Sequence, residues 1–115
     1  MSRPPDFQSD GTPEDLDDQA ILCSTCGAEI TRRQHRIAVN GRHEHAFFNP
    51  AGIAFGIRCF RVAPGAVPQG DPTAEFTWFS GYRWQIALCT ACHAHLGWLF
   101  INGGSFYGLI AARPV

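Results

Sequence analysis

Four of the chain's five cysteines fall in two C-x-x-C pairs, Cys23-Ser-Thr-Cys26 and Cys89-Thr-Ala-Cys92. A pair on a tight turn offers two thiolates to one metal ion. Two pairs close a tetrahedral four-sulfur shell, which suits a single structural Zn2+ and leaves no open position for catalysis. The 62 residues between Cys26 and Cys89 are too many for a compact zinc ribbon, so the ion is expected to join remote parts of one domain. His93 and His95 lie close by, but four cysteines make a histidine ligand unnecessary. Cys89-Thr-Ala-Cys92-His93 also matches the c-type haem attachment pattern. Haem is a poor reading, because the one methionine is Met1 and the other cysteine pair would have no role. Cys59, the fifth cysteine, lies in the apolar run Ile57–Phe60 and reads as a buried, inert thiol. A reactive thiolate needs a basic neighbour, and Arg58 is expected on the opposite strand face.

The aromatic residues are the second group with chemical potential. Trp78, Trp84 and Trp98 fall within 21 residues, and Phe100 follows. They read either as a tryptophan-rich core or as the walls of a cage. Trp78 favours the cage, since it follows a stretch rich in proline and glycine, where a core strand is less expected. Leaving indoles open is costly: each such side chain can bury about 150–250 Å², or roughly 4–6 kcal/mol at about 25 cal/mol per Å². A ligand explains that cost. It would be a methylated ammonium held by the indole faces, with Glu75 and Asp71 adding negative charge, or a flat neutral ring.

A chain of 115 residues suits one domain with a limited core. Structural zinc contributes on the order of 10–16 kcal/mol in finger peptides, against a typical domain stability of roughly 5–15 kcal/mol. The metal-free chain is therefore expected to be unfolded or molten. Residues 1–18 carry six carboxylates against Arg3, together with Pro4, Pro5, Gly11 and Pro13. Residues 1–19 thus read as a disordered acidic tail and 20–115 as the folded domain. The rest is mildly basic through arginine alone, and a pI near 6.5 argues against nucleic-acid binding. No apolar run is long enough to span a membrane, and no export signal is visible. A cytoplasmic, reducing setting is expected, which favours metal ligation over disulfides.

These residues need a scaffold, and period-2 patterns dominate. His35–Asn40, Glu44–Phe48, Ile53–Phe60, Tyr82–Leu88, Leu96–Ile101 and Phe106–Ala111 read as strands. Gly41, residues 49–52 and Gly103-Gly104 read as turns, and Val62–Thr73, with three prolines, as a long loop. No helix is expected. The fold class is all-β, built from antiparallel sheets.

The motifs Trp78-Phe-Ser-Gly-Tyr-Arg-Trp84, Cys89-Thr-Ala-Cys92, His95-Leu-Gly-Trp98-Leu-Phe100 and Phe106-Tyr-Gly-Leu109 occur in this order after Cys23/Cys26 and Asn49-Pro50. Over about residues 20–113 the chain resembles the thalidomide-binding (CULT) domain of cereblon, in a bacterial single-domain form. The resemblance implies a β-tent: two antiparallel sheets meeting at an angle, pinned by a structural zinc on four cysteines. It implies a cage of Trp78, Trp84 and Trp98 with Phe100 at its base, and ligand contacts from Asn49, Pro50, Phe55, Phe76 and Thr77. The implied ligand is a neutral cyclic imide: the glutarimide of thalidomide-type compounds, a uracil or uridine-like ring, or a C-terminal cyclic imide on a peptide. The Phe76 carbonyl would accept the imide N–H and the Trp78 amide would donate to one imide carbonyl. The animal domain has a histidine where this chain has Phe76, so one hydrogen bond is lost. No ubiquitin ligase partner is expected, because the Lon-like domain that makes that link has no room here. Methionine sulfoxide reductase B shares the β-tent, but it needs a late cysteine that Phe106–Arg113 lacks. The chain is expected to be a binding module, not an enzyme.

Overall fold

The structure is a computed structural model, and it describes residues 19–112. The expected acidic tail lies outside the described residues except for Gln19. Among those described, eight strands form two antiparallel sheets. β1 (Ala20–Leu22) pairs with β2 (Glu29–Arg32) in a two-stranded sheet. The remaining strands are β3 (Glu44–Phe48), β4 (Ala54–Phe60), β5 (Ala66–Thr73), β6 (Arg83–Cys89), β7 (His95–Asn102) and β8 (Gly104–Ala112). They form a six-stranded sheet in the order β3-β4-β8-β7-β6-β5. This is the all-β antiparallel class that the alternating pattern predicts, in the two sheets that the resemblance implies.

The apolar residues divide into two clusters. The first packs the small sheet against the large one: Ile30 of β2 meets Phe60 of β4, Ala87 of β6 and Leu109 of β8, with Cys23 and Cys89 among them. Buried Thr31 joins it, and its hydroxyl donates to the Val62 carbonyl at 2.7 Å. The second cluster is aromatic. Phe79, Phe100 and Phe106 pack with ring centroids 4.9–5.2 Å apart, over Ile57 and Cys59.

Two expected segments differ from the structure. The strand predicted at His35–Asn40 is instead a 3-10 turn (Arg33–His35), followed by isolated bridges Arg36–Phe60 and Val39–Arg42. Asn40 and Gly41 take φ values of 53° and 81°, and Val39 and Arg42 exchange backbone hydrogen bonds of 2.8 and 3.1 Å. The Asn-Gly pair therefore closes a tight two-residue turn. The loop predicted at Val62–Thr73 contains β5. Its prolines are accommodated because β5 is a sheet edge, where outward N–H groups have no ladder partner to lose. Register breaks between Gln69 and Thr73, and there the Gln85 amide donates to the Gly70 carbonyl at 2.7 Å. The short strands β1 and β2 carry too few residues to show a period and are not among the expected strands.

Candidate functional site: a four-cysteine centre and an aromatic cage

The two C-x-x-C pairs sit where the sheets meet. Cys23 follows β1 and Cys26 lies in the turn before β2; Cys89 ends β6 and Cys92 lies in the β6–β7 turn. The two turns are built alike. Cys23 N–H donates to Ala28 and Cys89 N–H to Ala94, at 2.8 and 2.9 Å. Gly27 N–H returns to the Cys23 carbonyl and His93 N–H to the Cys89 carbonyl, also at 2.8 and 2.9 Å. Gly27 and His93 both take positive φ, 81° and 65°. His93 therefore fills the left-handed turn position, which histidine tolerates better than most residues. That explains the C-x-x-C-H pattern without haem.

The four sulfurs lie within 4.8 Å of one another. Cys23 and Cys92 are 3.7 Å apart, as are Cys26 and Cys89. These separations are far beyond a disulfide bond. They match a tetrahedron with metal–sulfur bonds of about 2.3 Å, whose edges are about 3.8 Å. The thiol electrostatics point the same way. The backbone amide of Cys26 lowers the Cys23 thiol to about 6, against the effect of burial. The Cys92 amide likewise lowers Cys89. At Cys92 the Ala94 amide also pulls down, but burial and the sulfurs of Cys26, Cys23 and Cys89 outweigh it and push the thiol up to about 12. Four thiolates cannot share this space without a cation. A divalent ion that accepts soft ligands fits such a shell, and Zn2+ is one.

The second site lies on one face of the large sheet. Trp84 and Phe100 are cross-strand partners on β6 and β7, and Trp98 precedes Phe100 by two residues, so all three share a face. Gly108 of β8 lies opposite Trp98. A Cβ there would stand 2.8 Å from Ile57 Cδ1 and 3.0 Å from Phe100 Cε2, so glycine leaves the space in which Phe100 lies as a buried floor. The segment between β5 and β6 brings Phe76 and Trp78 over this floor, and the β3–β4 turn brings Asn49 and Pro50. Together these seven residues line a cavity of about 170 Å³.

Hydrogen bonds fix the walls. Trp78 Nε1–H donates to the Phe48 carbonyl at 3.0 Å and Trp84 Nε1–H to the Glu75 carbonyl at 2.8 Å. Trp78 meets Trp98 edge to face, with centroids 4.6 Å apart. In the turn, Asn49 Oδ1 accepts from the Ile53 amide at 2.8 Å. Phe76 is 70% exposed on the rim and has a φ of 57°. Among the described residues, neither the Phe76 carbonyl nor the Trp78 amide makes a backbone hydrogen bond.

Of the nine residues expected at the ligand, Asn49, Pro50, Phe76, Trp78, Trp84, Trp98 and Phe100 line the cavity. Phe55 and Thr77 do not. Phe55 lies behind the wall, with centroids 5.4 Å from Trp98 and 6.1 Å from Trp78. The Thr77 hydroxyl donates to the Phe79 carbonyl at 3.3 Å and shapes the loop. Asp71 and Glu75, considered as counter-charges, are absent from the lining. Phe47, not among the expected site residues, stacks on Trp78 at 5.0 Å. The alternation in β3 places Phe47 inward and Phe48 outward, and that is the signal the sequence holds for it.

Comparison with known proteins bears on both sites. Cereblon from Drosophila willistoni is 33% identical over 88 residues, covering 73% of this chain and 14% of that protein. Cereblon from Drosophila simulans is 31% identical over 103 residues, covering 81% and 17%. Over this region the chain is a cereblon-like domain. A shorter match, to cereblon from Drosophila virilis, is 45% identical over 42 residues. No protein-family model matches the chain. This cereblon-like domain spans less than a fifth of the length of these relatives. It carries the four-cysteine centre and the aromatic cage in separate packing clusters. No helix among its described residues is long and apolar enough to cross a membrane.

Proposed function

We propose that this domain is a binding module for neutral cyclic imides, which takes the imide ring edge-on into the cage of Trp78, Trp84 and Trp98. The observation that carries this reading is the cavity lining: seven residues, five of them aromatic and none charged. A cation reader would want a carboxylate there. The cavity, at about 170 Å³, is well below the roughly 300–1,000 Å³ of sites for drug-sized ligands. It suits one small ring whose substituent stays outside.

The imide edge presents an N–H between two carbonyls. In this reading the Phe76 carbonyl accepts the N–H and the Trp78 amide donates to one carbonyl, with the indoles enclosing the methylenes and excluding water. Asn49 and Pro50 close the mouth, Phe100 forms the base, and Phe55 and Thr77 hold wall and loop from behind. Glutarimide is the simplest ligand; a uracil-type ring or a C-terminal cyclic imide shares its edge. Cys23, Cys26, Cys89 and Cys92 hold one structural Zn2+, within a folded unit of about residues 20–115. Four thiolate ligands suit a reducing compartment such as the cytoplasm.

The module is read as non-catalytic. Four cysteines are committed to the metal centre. Cys59 is fully buried, with its thiol pushed up to about 11 by desolvation, the opposite of an activated nucleophile.

N-methylglutarimide tests the reading. Methylation removes the donor and leaves a buried acceptor unpaired, a loss of about 1–3 kcal/mol, or roughly 5- to 150-fold in affinity. Calorimetric titration should show binding of glutarimide and that loss for the methylated ring. Equal affinity for both would mean that the Phe76 carbonyl does not receive the imide N–H.

A further inference from the structure

The acidic stretch before β1 lies outside the described residues, and those described offer it a partner. Residues 1–18 hold six carboxylates against Arg3, whereas residues 19–112 hold seven arginines against four carboxylates. Part of that positive charge gathers in an open hollow of about 350 Å³, lined by Arg33, Gln34, Arg36, Ile37, Ala38 and His43. None of these six residues is acidic. Arg33 Nε is enclosed and has no hydrogen-bond partner. Glu29, the nearest carboxylate in sequence, is bonded to Arg32 instead, at 2.9 Å. Arg36 Nε donates to the Arg33 carbonyl at 2.9 Å, which holds the two arginines on one turn.

The described chain begins beside this hollow. Ala20 pairs with Arg32 across the β1–β2 ladder, and the Gln19 carbonyl accepts from the Arg33 amide at 2.9 Å. Asp18, Asp17, Asp15 and Glu14 closely precede Gln19. At no more than about 3.3–3.6 Å of chain per residue, Asp18 and Asp17 are delivered within one or two residue lengths of Arg33. We infer that the Arg33/Arg36 hollow is the docking surface for the chain's own acidic segment, Glu14–Asp18. Tethering keeps the effective concentration of these carboxylates high without any large interface. Docking covers a basic face that would otherwise be open to other anions. The contact is electrostatic and near the surface, so it is salt-sensitive.

The test uses the full chain loaded with zinc and a quadruple variant, E14Q/D15N/D17N/D18N, whose changes precede β1 in the sequence. Arginine Nε–H resonances are recorded by nitrogen-15 NMR at low salt and at about 1 M sodium chloride, where the Debye length is about 3 Å. The expected result is a displacement of the Arg33 and Arg36 signals in the variant that salt reproduces in the unmodified chain, with Arg83 on β6 unmoved. Arg33 and Arg36 signals that are the same in both proteins would overturn the docking. So would shifts of equal size at Arg83, which mean a general field, or shifts that grow with protein concentration, which mean contact between copies.

Discussion

The two ends of the large sheet solve the same packing problem differently. At the cysteine end the core between the sheets sets Ala63, Ala66 and Ala87 beside Ile30, Phe60 and Leu109, with Cys23 and Cys89 among them. The small sheet there is short: β1 and β2 together contribute only seven residues. At the cage end, Phe79, Phe100 and Phe106 supply large interlocked rings. That floor is packed by its own rings, and it supports indoles that are left only partly covered. In the proposed reading, stability and binding fall to different ends: an ion on the four cysteines would hold the sheets together so that the aromatic end can keep a cavity.

Loss of the metal should cost most. Chelation of zinc, or Cys89→Ser, should abolish cooperative thermal unfolding, since the loss of on the order of 10 kcal/mol matches a whole domain's stability. Cys59 gives an independent readout. Its thiol is held at about 11 by burial, so at pH 8 it stays protonated and enclosed, and iodoacetamide should not modify it in the zinc-loaded chain. After chelation it should be modified together with the other four cysteines. Protection of Cys59 in the chelated chain would mean that the aromatic end folds alone.

A lesser effect should follow from damage to the cage that spares the metal end. Trp84→Ala removes one wall and the hydrogen bond to Glu75, and should lower glutarimide affinity by a factor of 10 or more, while the unfolding transition persists. Loss of zinc binding in this variant would show that the two ends are not separable. A smaller change tests the floor. Gly108→Ala places a methyl against Phe100 and Ile57; overpacking of about 1–3 kcal/mol should appear as a lower melting temperature together with weaker ligand binding. A melting shift with unchanged affinity would free Phe100 from its role as the base.

A gain of binding at the rim would be smaller still. Phe76→His restores a side-chain donor where φ is 57°, a conformation histidine takes more readily than phenylalanine. One added neutral hydrogen bond of about 0.5–1.5 kcal/mol should tighten glutarimide by roughly 2- to 12-fold. Unchanged affinity by calorimetry would show that water already serves that carbonyl.

Much of this division is legible in the sequence, for identifiable reasons. Two C-x-x-C pairs carry their own geometry, so the metal centre can be read before any fold is known. Strands β3, β4, β6, β7 and β8 run for five or more residues between turn signals, and their expected bounds agree to within about two residues. Tryptophan spacing and the place of Trp78 raise the cage as one of two readings, and the order of motifs resembling a known family decides for it, because tryptophans on β7, β6 and a loop meet only in three dimensions. The proline-rich β5 is hidden by local chemistry that only an edge position permits. Asn40-Gly41 interrupts the strand expected before it, and β1 and β2 are too short to show a pattern. Phe47 and the carbonyls of Phe48 and Glu75, which fix the indoles, carry signals that depend on register.

The imide cage itself is tested most simply by a tryptophan-fluorescence titration of the zinc-loaded chain with glutarimide and, in parallel, trimethyl-lysine. Saturable quenching is expected with glutarimide, none with trimethyl-lysine, and no response to glutarimide in folded Trp84→Ala. Saturation with trimethyl-lysine alone, or silence toward both glutarimide and uridine, would contradict a neutral imide cage.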